Sequence, residues 1–185
     1  MSPSPQTGFR IEGERLVFEG SLVRVAETSV ASPDGELLRR EVIRHPGAVV
    51  IVPLEDDGRV VLVRQYRAAV GADLVELPAG KLDQEGEDPL DAAQRELAEE
   101  VGRKASSMRL LARFYNSPGF CDEFSHLYLA TGLSEVERDP HGAEERHCEV
   151  LSMPLQEALS GIASGWVQDA KTIAGLTLAA LSLSG

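Results

Sequence analysis

The sequence predicts one mixed α/β domain with a small, mostly β segment at its N-terminus. Three observations lead to this prediction: short runs of β-branched residues, an amphipathic helix with clear end signals, and two helical segments near the C-terminus. A chain of 185 residues fits one such domain and leaves little room for two. Hydrophobic residues make up 43% of the chain, enough to bury a full core.

The N-terminal part is expected to be a tail followed by strands. Polar and apolar residues roughly alternate from Leu16 to Val30, and a Pro-Asp-Gly turn then leads into a strand near Leu37–Arg44. The predicted division of the chain is a flexible tail over residues 1–10, an N-terminal β segment over 11–45 and the main domain over 46–185.

The main domain is predicted to begin with a strand that is buried on both faces. Ala48–Leu54 is a continuous apolar run rich in valine and isoleucine, and a turn at Asp56–Gly58 leads into a second strand over Arg59–Tyr66. Later strands are expected near Arg109–Tyr115, Ser125–Ala130 and Cys148–Met153, and closing helices over Leu155–Ser164 and Asp169–Ser182.

The clearest helix prediction covers residues 88–101. Asp88 is a suitable N-cap, Pro89 suits the first helical position, and Gly102 is placed to end the helix. An apolar stripe predicted to face the core consists of Leu90, Ala93, Leu97 and Val101.

Three carboxylates share another face of this helix. Glu96, Glu99 and Glu100 fall within an arc of about 100°. Glu96 and Glu100 repel each other as an i,i+4 pair, and the helix dipole disfavours negative charge in the last turns. A solvated acidic face is the ordinary explanation of such a run, but local features that oppose stability tend to mark function. A divalent cation such as Mg²⁺, which binds oxygen ligands, would turn this repulsion into coordination.

Composition excludes several classes of partner. The net charge of −12 argues against sequence-independent binding of nucleic acid, which depends on neutralising phosphates. The N-terminus has no signal-peptide pattern, and the longest apolar stretches are too short to span a bilayer. The two cysteines, Cys121 and Cys148, lack metal-ligand spacing and indicate a reduced protein. We expect a cytoplasmic protein without nucleic-acid or membrane partners.

The acidic helix and the loop before it resemble the Nudix box, a loop–helix–loop element. The resemblance rests on Gly80, Glu87 and the run Arg95–Gly102, which matches the R-E-x-x-E-E-x-G core residue for residue. Two positions depart from the pattern. Six residues instead of five separate Gly80 from Glu87, and Arg103 occupies a final position that is usually apolar. The resemblance implies a Nudix-type α-β-α sandwich around a mixed sheet.

Residues outside the box are similar to the ADP-ribose pyrophosphatase subfamily. Arg64–Arg67 followed by Glu76–Gly80 looks like that subfamily's approach to the box. Ser117–Glu123 resembles its Ser-Pro-Gly-x-x-Asp-Glu loop, with Pro118 standing 16 residues beyond the last glycine of the box. The resemblance covers about residues 16–180, nearly the whole chain.

This resemblance implies hydrolysis of the pyrophosphate bond of ADP-ribose to AMP and ribose 5-phosphate by metal-activated water, with Mg²⁺ or Mn²⁺. The implied metal-binding residues are Ala79, through its carbonyl, and Glu96, Glu99 and Glu100. The implied catalytic residues are Glu144 and Glu145 on an acidic loop, either of which could be the general base, and Glu99. The implied substrate-binding residues are Arg64, Arg67, Glu76, Pro118, Gly119 and Phe120.

The resemblance also implies a homodimer, with the N-terminal β segment forming the interface. Two other functions stay open: a Nudix hydrolase acting on a GDP-sugar, a dinucleoside polyphosphate or FAD, and a non-catalytic module that binds ADP-ribose. The complete set of box carboxylates favours an enzyme over a binding module.

Overall fold

The computed structural model describes residues 7–21 and 23–184, and for Ala143 and Glu144 it describes the backbone without the side chains. The chain forms two compact units. One comprises the chain up to Pro46 together with Tyr115–Phe124, and the other comprises Gly47–Phe114 together with the chain from Ser125 onward. Residues 1–6 of the predicted tail lie outside the described part.

The first unit contains a three-stranded antiparallel sheet. Its strands are β1 (Arg10–Glu19), β2 (Arg24–Ala31) and β3 (Leu37–Arg44), paired in that order. The predicted turn between β2 and β3 is confirmed, since the Gly35 N–H donates to the Ser32 carbonyl at 3.0 Å. Gly35 has a φ of 91°, which explains the glycine at this position. Every described side chain of β1 is exposed.

The second unit is built around β4 (Ala48–Pro53), in which every residue is buried. This strand pairs antiparallel with β7 (Ala79–Lys81) and parallel with β9 (Phe124–Glu135). The mixed four-stranded sheet has the order β7-β4-β9-β8, with β8 at Arg103–Tyr115. The prediction of a strand buried on both faces is therefore confirmed.

A second sheet in this unit has the order β10-β5-β6 and is antiparallel throughout. Its strands are β5 (Arg59–Arg67), β6 (Ala72–Glu76) and β10 (Glu149–Pro154). The helices of the described chain are α1 (Pro89–Val101), α2 (Gly142–Arg146), α3 (Leu155–Ser164) and α4 (Ala170–Leu183). The prediction of a mixed α/β fold is confirmed. No helix in the described chain is long and apolar enough to cross a membrane.

Helix α1 has the predicted ends. The Asp88 carboxylate accepts from the Leu90 N–H at 2.8 Å, and Gly102 ends the helix with a φ of 64°. The predicted apolar stripe needs one correction, because Leu90 is exposed while Ala92 is buried. Leu90 lies in the first turn, before the helix comes fully against its neighbours. The buried face of α1 packs on β4 and β7, which brings its last turns to the loop that begins at Ala79.

Candidate active site

The most buried carboxylate of the acidic face is Glu100, which is 7% exposed. Its Oε2 accepts a hydrogen bond from the Ala79 backbone N–H at 3.0 Å. Burial, together with the negative charges of Glu96 and Glu145, raises the pKa of Glu100 to about 8. The last turn of α1 and the start of β7 thus meet at a carboxylate whose negative charge is costly unless a cation compensates it.

Glu96 lies one turn earlier on the same face, and burial raises the pKa of its carboxyl as well. Gly80 is the close neighbour of this side chain. A Cβ atom placed on Gly80 would lie 1.9 Å from Glu96 Cδ, so only glycine leaves room for the carboxylate here. The loop backbone therefore lies directly against Glu96.

Arg95 links the other carboxylates of the box. Its Nη1 donates to Glu96 Oε1 at 2.8 Å and to Glu99 Oε2 at 3.0 Å, so Arg95 holds Glu99 in place. The sequence reasoning missed a further partner: Nε and Nη2 donate to the two oxygens of Glu87, each at 2.9 Å. Bidentate pairing of this kind fixes orientation as well as charge. The hydrogen bonds to Glu87 help to raise the pKa of Arg95.

The extra residue before the helix does not disturb this arrangement. The Glu87 N–H donates to the Gln84 carbonyl at 3.2 Å, and Gly86 has a φ of 78°. This turn accommodates the longer loop and leaves Glu87 on Arg95. At the other end of the helix, Arg103 forms ion pairs with Glu55 and Glu135 at 3.7 and 3.4 Å.

The acidic segment predicted as a loop contains the short helix α2, so that prediction is wrong. Gly142 adopts a φ of 85°, and the residues after it favour helix. Glu145 adds a local contact, because its carboxylate accepts from the His141 backbone N–H just before the helix. The pKa values of Glu96 and Glu100 both respond to the charge of Glu145. The predicted base Glu144 has its side chain outside the described part.

The predicted substrate-binding arginines on β5 already have acidic partners. Arg67 donates from Nε and Nη2 to both oxygens of Glu76 at 2.8 and 2.7 Å, and Glu76 is 1% exposed. Arg64 Nη1 lies 2.7 Å from Glu149 Oε2 in an exposed pair. Glu76 is therefore placed to hold the Arg67 guanidinium in one orientation.

Pro118, Gly119 and Phe120 belong to the first compact unit and are described with it. They form a tight turn in which the Phe120 N–H donates to the Ser117 carbonyl at 3.1 Å. The Phe120 carbonyl accepts from the Ile43 N–H at 2.7 Å, which fixes this turn to β3. The Phe120 side chain is 55% exposed, which is unusual for a large aromatic residue.

The residues at the end of α1 fit a hard divalent cation. All candidate donors are oxygens, and the close approach of Gly80 to Glu96 brings loop backbone beside the carboxylate pair. Among the described side chains, no three His, Cys, Asp or Glu residues form a metal-binding group. Mg²⁺ is commonly held by one or two carboxylates, with waters and substrate phosphates completing its shell. Glu96 and Glu100 suit that mode better than an all-protein cage.

A family model described as the NUDIX domain matches residues 44–176. The chain belongs to the NUDIX domain family. The sequence prediction of a Nudix hydrolase is confirmed by this match, and Nudix hydrolases generally need divalent metal ions.

Curated relatives of this Nudix chain match along most of their length. The ADP-ribose pyrophosphatase of Mycobacterium tuberculosis is 41% identical over 91% of this chain and 81% of its own. The ADP-ribose pyrophosphatase of Bacillus subtilis is 39% identical over 84% of each chain. The methanol dehydrogenase activator of Bacillus methanolicus is 40% identical over 85% of this chain and 84% of its own.

A solved structure described as an ADP compounds hydrolase shares the fold of this Nudix chain. The two superpose with a TM-score of 0.82 over 100% of this chain and 98% of the other. Their sequence identity is 24%, so the likeness concerns the fold. It confirms the predicted Nudix-type architecture with its N-terminal β segment.

Proposed function

We propose that this chain hydrolyses the pyrophosphate bond of ADP-ribose to AMP and ribose 5-phosphate. The observation that carries the proposal is the pair of the partly buried Glu96 and the buried Glu100 beside the Gly80 backbone, which suits a cation-dependent reaction on phosphates. The choice of substrate is supported by the two relatives named ADP-ribose pyrophosphatase, which match over most of this chain.

Glu96 and Glu100 act as the principal ligands of Mg²⁺ in this proposal, with the Ala79 carbonyl as a third. The bound cation neutralises phosphate charge and lowers the pKa of a water molecule. Glu99 is an auxiliary ligand, held in place by Arg95. Arg95 also pairs with Glu87, which lies at the end of the loop before α1. One guanidinium therefore orders the carboxylates of Glu87, Glu96 and Glu99 around the site.

The general base in this proposal comes from the segment that contains Glu144 and Glu145. Proton removal from the attacking water requires a carboxylate that approaches the phosphates without being a principal metal ligand. The influence of Glu145 on the pKa values of Glu96 and Glu100 supports this placement of the segment.

Substrate contacts are proposed for Arg64, Arg67 and the turn Pro118–Phe120. A guanidinium matches the oxygens of a phosphate group, and Arg67 is oriented for such a contact by Glu76. For Glu76 we propose this indirect role, since both of its oxygens already accept from Arg67. The exposed ring of Phe120 is suited to stacking on a nucleobase.

We further propose a homodimer formed through the N-terminal sheet, and a cytoplasmic location. The support for the dimer is the exposed apolar surface of this sheet, which includes Ile11, Leu16, Val17 and Phe18. The described part of the chain contains two cysteines, and both are free thiols, as expected in a reducing compartment.

The decisive experiment is a substrate panel with Mg²⁺, followed by identification of products by mass spectrometry. ADP-ribose, a GDP-sugar, a dinucleoside polyphosphate and FAD are compared by kcat/KM. We expect ADP-ribose to be the best substrate and to release AMP and ribose 5-phosphate. A higher kcat/KM for another member of the panel would reassign the substrate, and no turnover of any would contradict the proposed activity.

A further inference from the structure

Arg138 follows β9 and precedes α2, and its guanidinium donates to three backbone carbonyls. Nε donates to Glu100 O, Nη2 donates to Glu145 O at 2.8 Å, and Nη1 makes a longer contact with Cys148 O at 3.5 Å. The carbonyls belong to the last turn of α1, to α2 and to the residue just before β10. One side chain therefore joins three backbone segments, which the planar fork of a guanidinium allows.

The hydrogen bond from Arg138 to Glu100 O pairs one of the backbone carbonyls at the end of α1. The last carbonyls of a helix lack helical partners, and the dipole concentrates negative charge there. Helix α1 carries no basic residue in its own last turn. Arg138 supplies the missing donor and the positive charge from outside the helix.

The backbone before Arg138 lies against the same helix end. The Val136 N–H donates to the Gly102 carbonyl at 3.1 Å. A Cβ atom on Gly102 would meet the Val136 carbonyl oxygen at 3.0 Å and Arg138 Cβ at 3.5 Å. The position of Arg138 relative to α1 is thus fixed by main-chain contacts as well as by its own side chain.

Helix α2 needs such support, because a helix of five residues is too short to be stable alone. Glu145 makes a carboxylate contact to the His141 N–H, but that contact is internal to the segment. The His141 ring lies 3.6 Å from Glu99 Oε1 and is itself largely exposed. The hydrogen bond from Arg138 to Glu145 O joins the segment to the end of α1 through a shared donor.

We propose that Arg138 is a positioning residue that holds the Glu144–Glu145 segment at the carboxylate-bearing end of α1. This inference rests on the proposed function, in which that segment supplies the general base. Arg138 acts through backbone carbonyls and does not contact the substrate. Its loss therefore displaces the base without removing a metal ligand or a phosphate contact.

The test compares Arg138→Ala, Arg138→Lys and the control Arg146→Ala with the unchanged protein. Arg146 lies in the same segment, and its side chain is exposed. We expect Arg138→Ala to lower kcat for ADP-ribose by about 10- to 100-fold, since a misplacement of about 1 Å caused by a change away from the reacting atoms can cost about 100-fold. KM and the Mg²⁺ concentration at half-maximal rate should change less than threefold. Arg138→Lys should recover part of kcat, because it restores one charged donor, and Arg146→Ala should resemble the unchanged protein.

Amide hydrogen exchange gives a second readout that does not depend on activity. We expect Arg138→Ala to speed exchange in residues 139–148 while the middle of α1 stays protected. Unchanged exchange in 139–148, or kcat within threefold of the unchanged protein in both Arg138 variants, would overturn the proposal. If Arg138→Ala does not fold, Arg138→Met, which keeps an apolar stem but has no donor, decides by the same two criteria. If the unchanged protein does not hydrolyse ADP-ribose, the proposed function fails, and the exchange experiment still tests whether Arg138 anchors the segment.

Discussion

The Ala79 backbone N–H donates to Glu100 Oε2 at 3.0 Å, so the start of β7 and the last turn of α1 are joined at one carboxylate. A glutamine at position 100 keeps an oxygen that can accept this hydrogen bond. It removes only the charge, and that makes Glu100→Gln a clean test of the metal-ligand proposal.

We expect Glu100→Gln to lower kcat by about 100-fold or more, since a bound metal contributes several kcal/mol to stabilising the transition state. Above about pH 8, where Glu100 ionises, the metal-free variant should be slightly more stable than the unchanged protein, because repulsion from Glu96 is relieved. Asp91→Asn, which removes an exposed charge from the first turn of α1, is the matched control. A Glu100→Gln variant that keeps nearly full kcat would remove Glu100 from the metal site.

Gly80→Ala tests the close approach between loop and helix. The new Cβ would lie 1.9 Å from Glu96 Cδ, so the flexible glutamate side chain must swing away. We expect kcat to fall by about 100-fold, as displacement of a catalytic group by about 1 Å can cause. The melting temperature should change little, since no backbone atom is displaced. Asp91→Ala, which changes an exposed side chain in the first turn of α1, serves as the control. Equal activities of the two variants would contradict the argument.

Replacing Glu144 and Glu145 one at a time by glutamine identifies the general base. Replacement of the correct member of Glu144 and Glu145 by glutamine should lower kcat by about 10²–10⁴, the usual contribution of a positioned base. The other replacement should have little effect, and the Mg²⁺ requirement should persist in both. Steady-state kinetics over a range of Mg²⁺ concentrations provide the measurement. If both variants keep kcat within about threefold of the unchanged protein, the base lies elsewhere, and Glu99 and Glu123 become the next candidates.

The dimer proposal concerns the apolar surface of the N-terminal sheet. Removal of residues 1–45 deletes β1, β2 and β3 and should give an inactive, poorly soluble monomer. Light scattering of the full chain at micromolar concentration should give twice the monomer mass. An active full-length monomer would contradict this prediction.

Asp169 gives a pH-dependent test of stability. Its Oδ2 accepts from the Thr172 N–H and hydroxyl, both at 2.8 Å, and so caps α4. Burial opposes ionisation, but Lys171 and these hydrogen bonds outweigh it and lower the pKa of Asp169. A lowered folded-state pKa means that the stabilisation is present above the unfolded pKa and is lost as the pH falls through the folded value.

Asp169→Ala should therefore lower the free energy of unfolding by about 1–2 kcal/mol at pH 7, the usual effect of losing an N-cap. The difference from the unchanged protein should shrink as the pH falls through the lowered pKa of Asp169. Urea denaturation at neutral pH and at a series of acid pH values measures it. A difference that is as large in acid as at neutral pH would show that the charge of Asp169 does not contribute.

Local patterns predicted helix α1 well, and contacts between distant segments were missed. The caps at Asp88 and Gly102 and the Arg95–Glu99 spacing depend on neighbours within one helix, so the sequence contains them directly. The pairing of Arg67 with Glu76 depends on the antiparallel contact of β5 with β6, a short strand that has little apolar alternation.

The prediction for the acidic segment was wrong for a related reason. Its proline and glycine indicated a loop, but Pro140 lies before α2 and Gly142 begins it, and the Glu145 carboxylate accepts from the His141 N–H just before the helix. Arg138 has no sequence pattern that marks it. Its role depends on carbonyls of Glu100, Glu145 and Cys148, which only the folded chain brings within reach of one guanidinium.

The parallel pairing of β4 with β9 also affects the order in which the candidate site forms during folding. Ala48 is paired with Ser125, so contact between these strands closes a long stretch of intervening chain that includes all of α1. Such non-local pairing slows folding, because the entropy of closing the chain is lost before the contacts form. Helix α1 packs on β4, and its paired carboxylates can be buried only once that strand is in place. During synthesis, helix α1 therefore leaves the ribosome before β9 can complete the sheet beneath it.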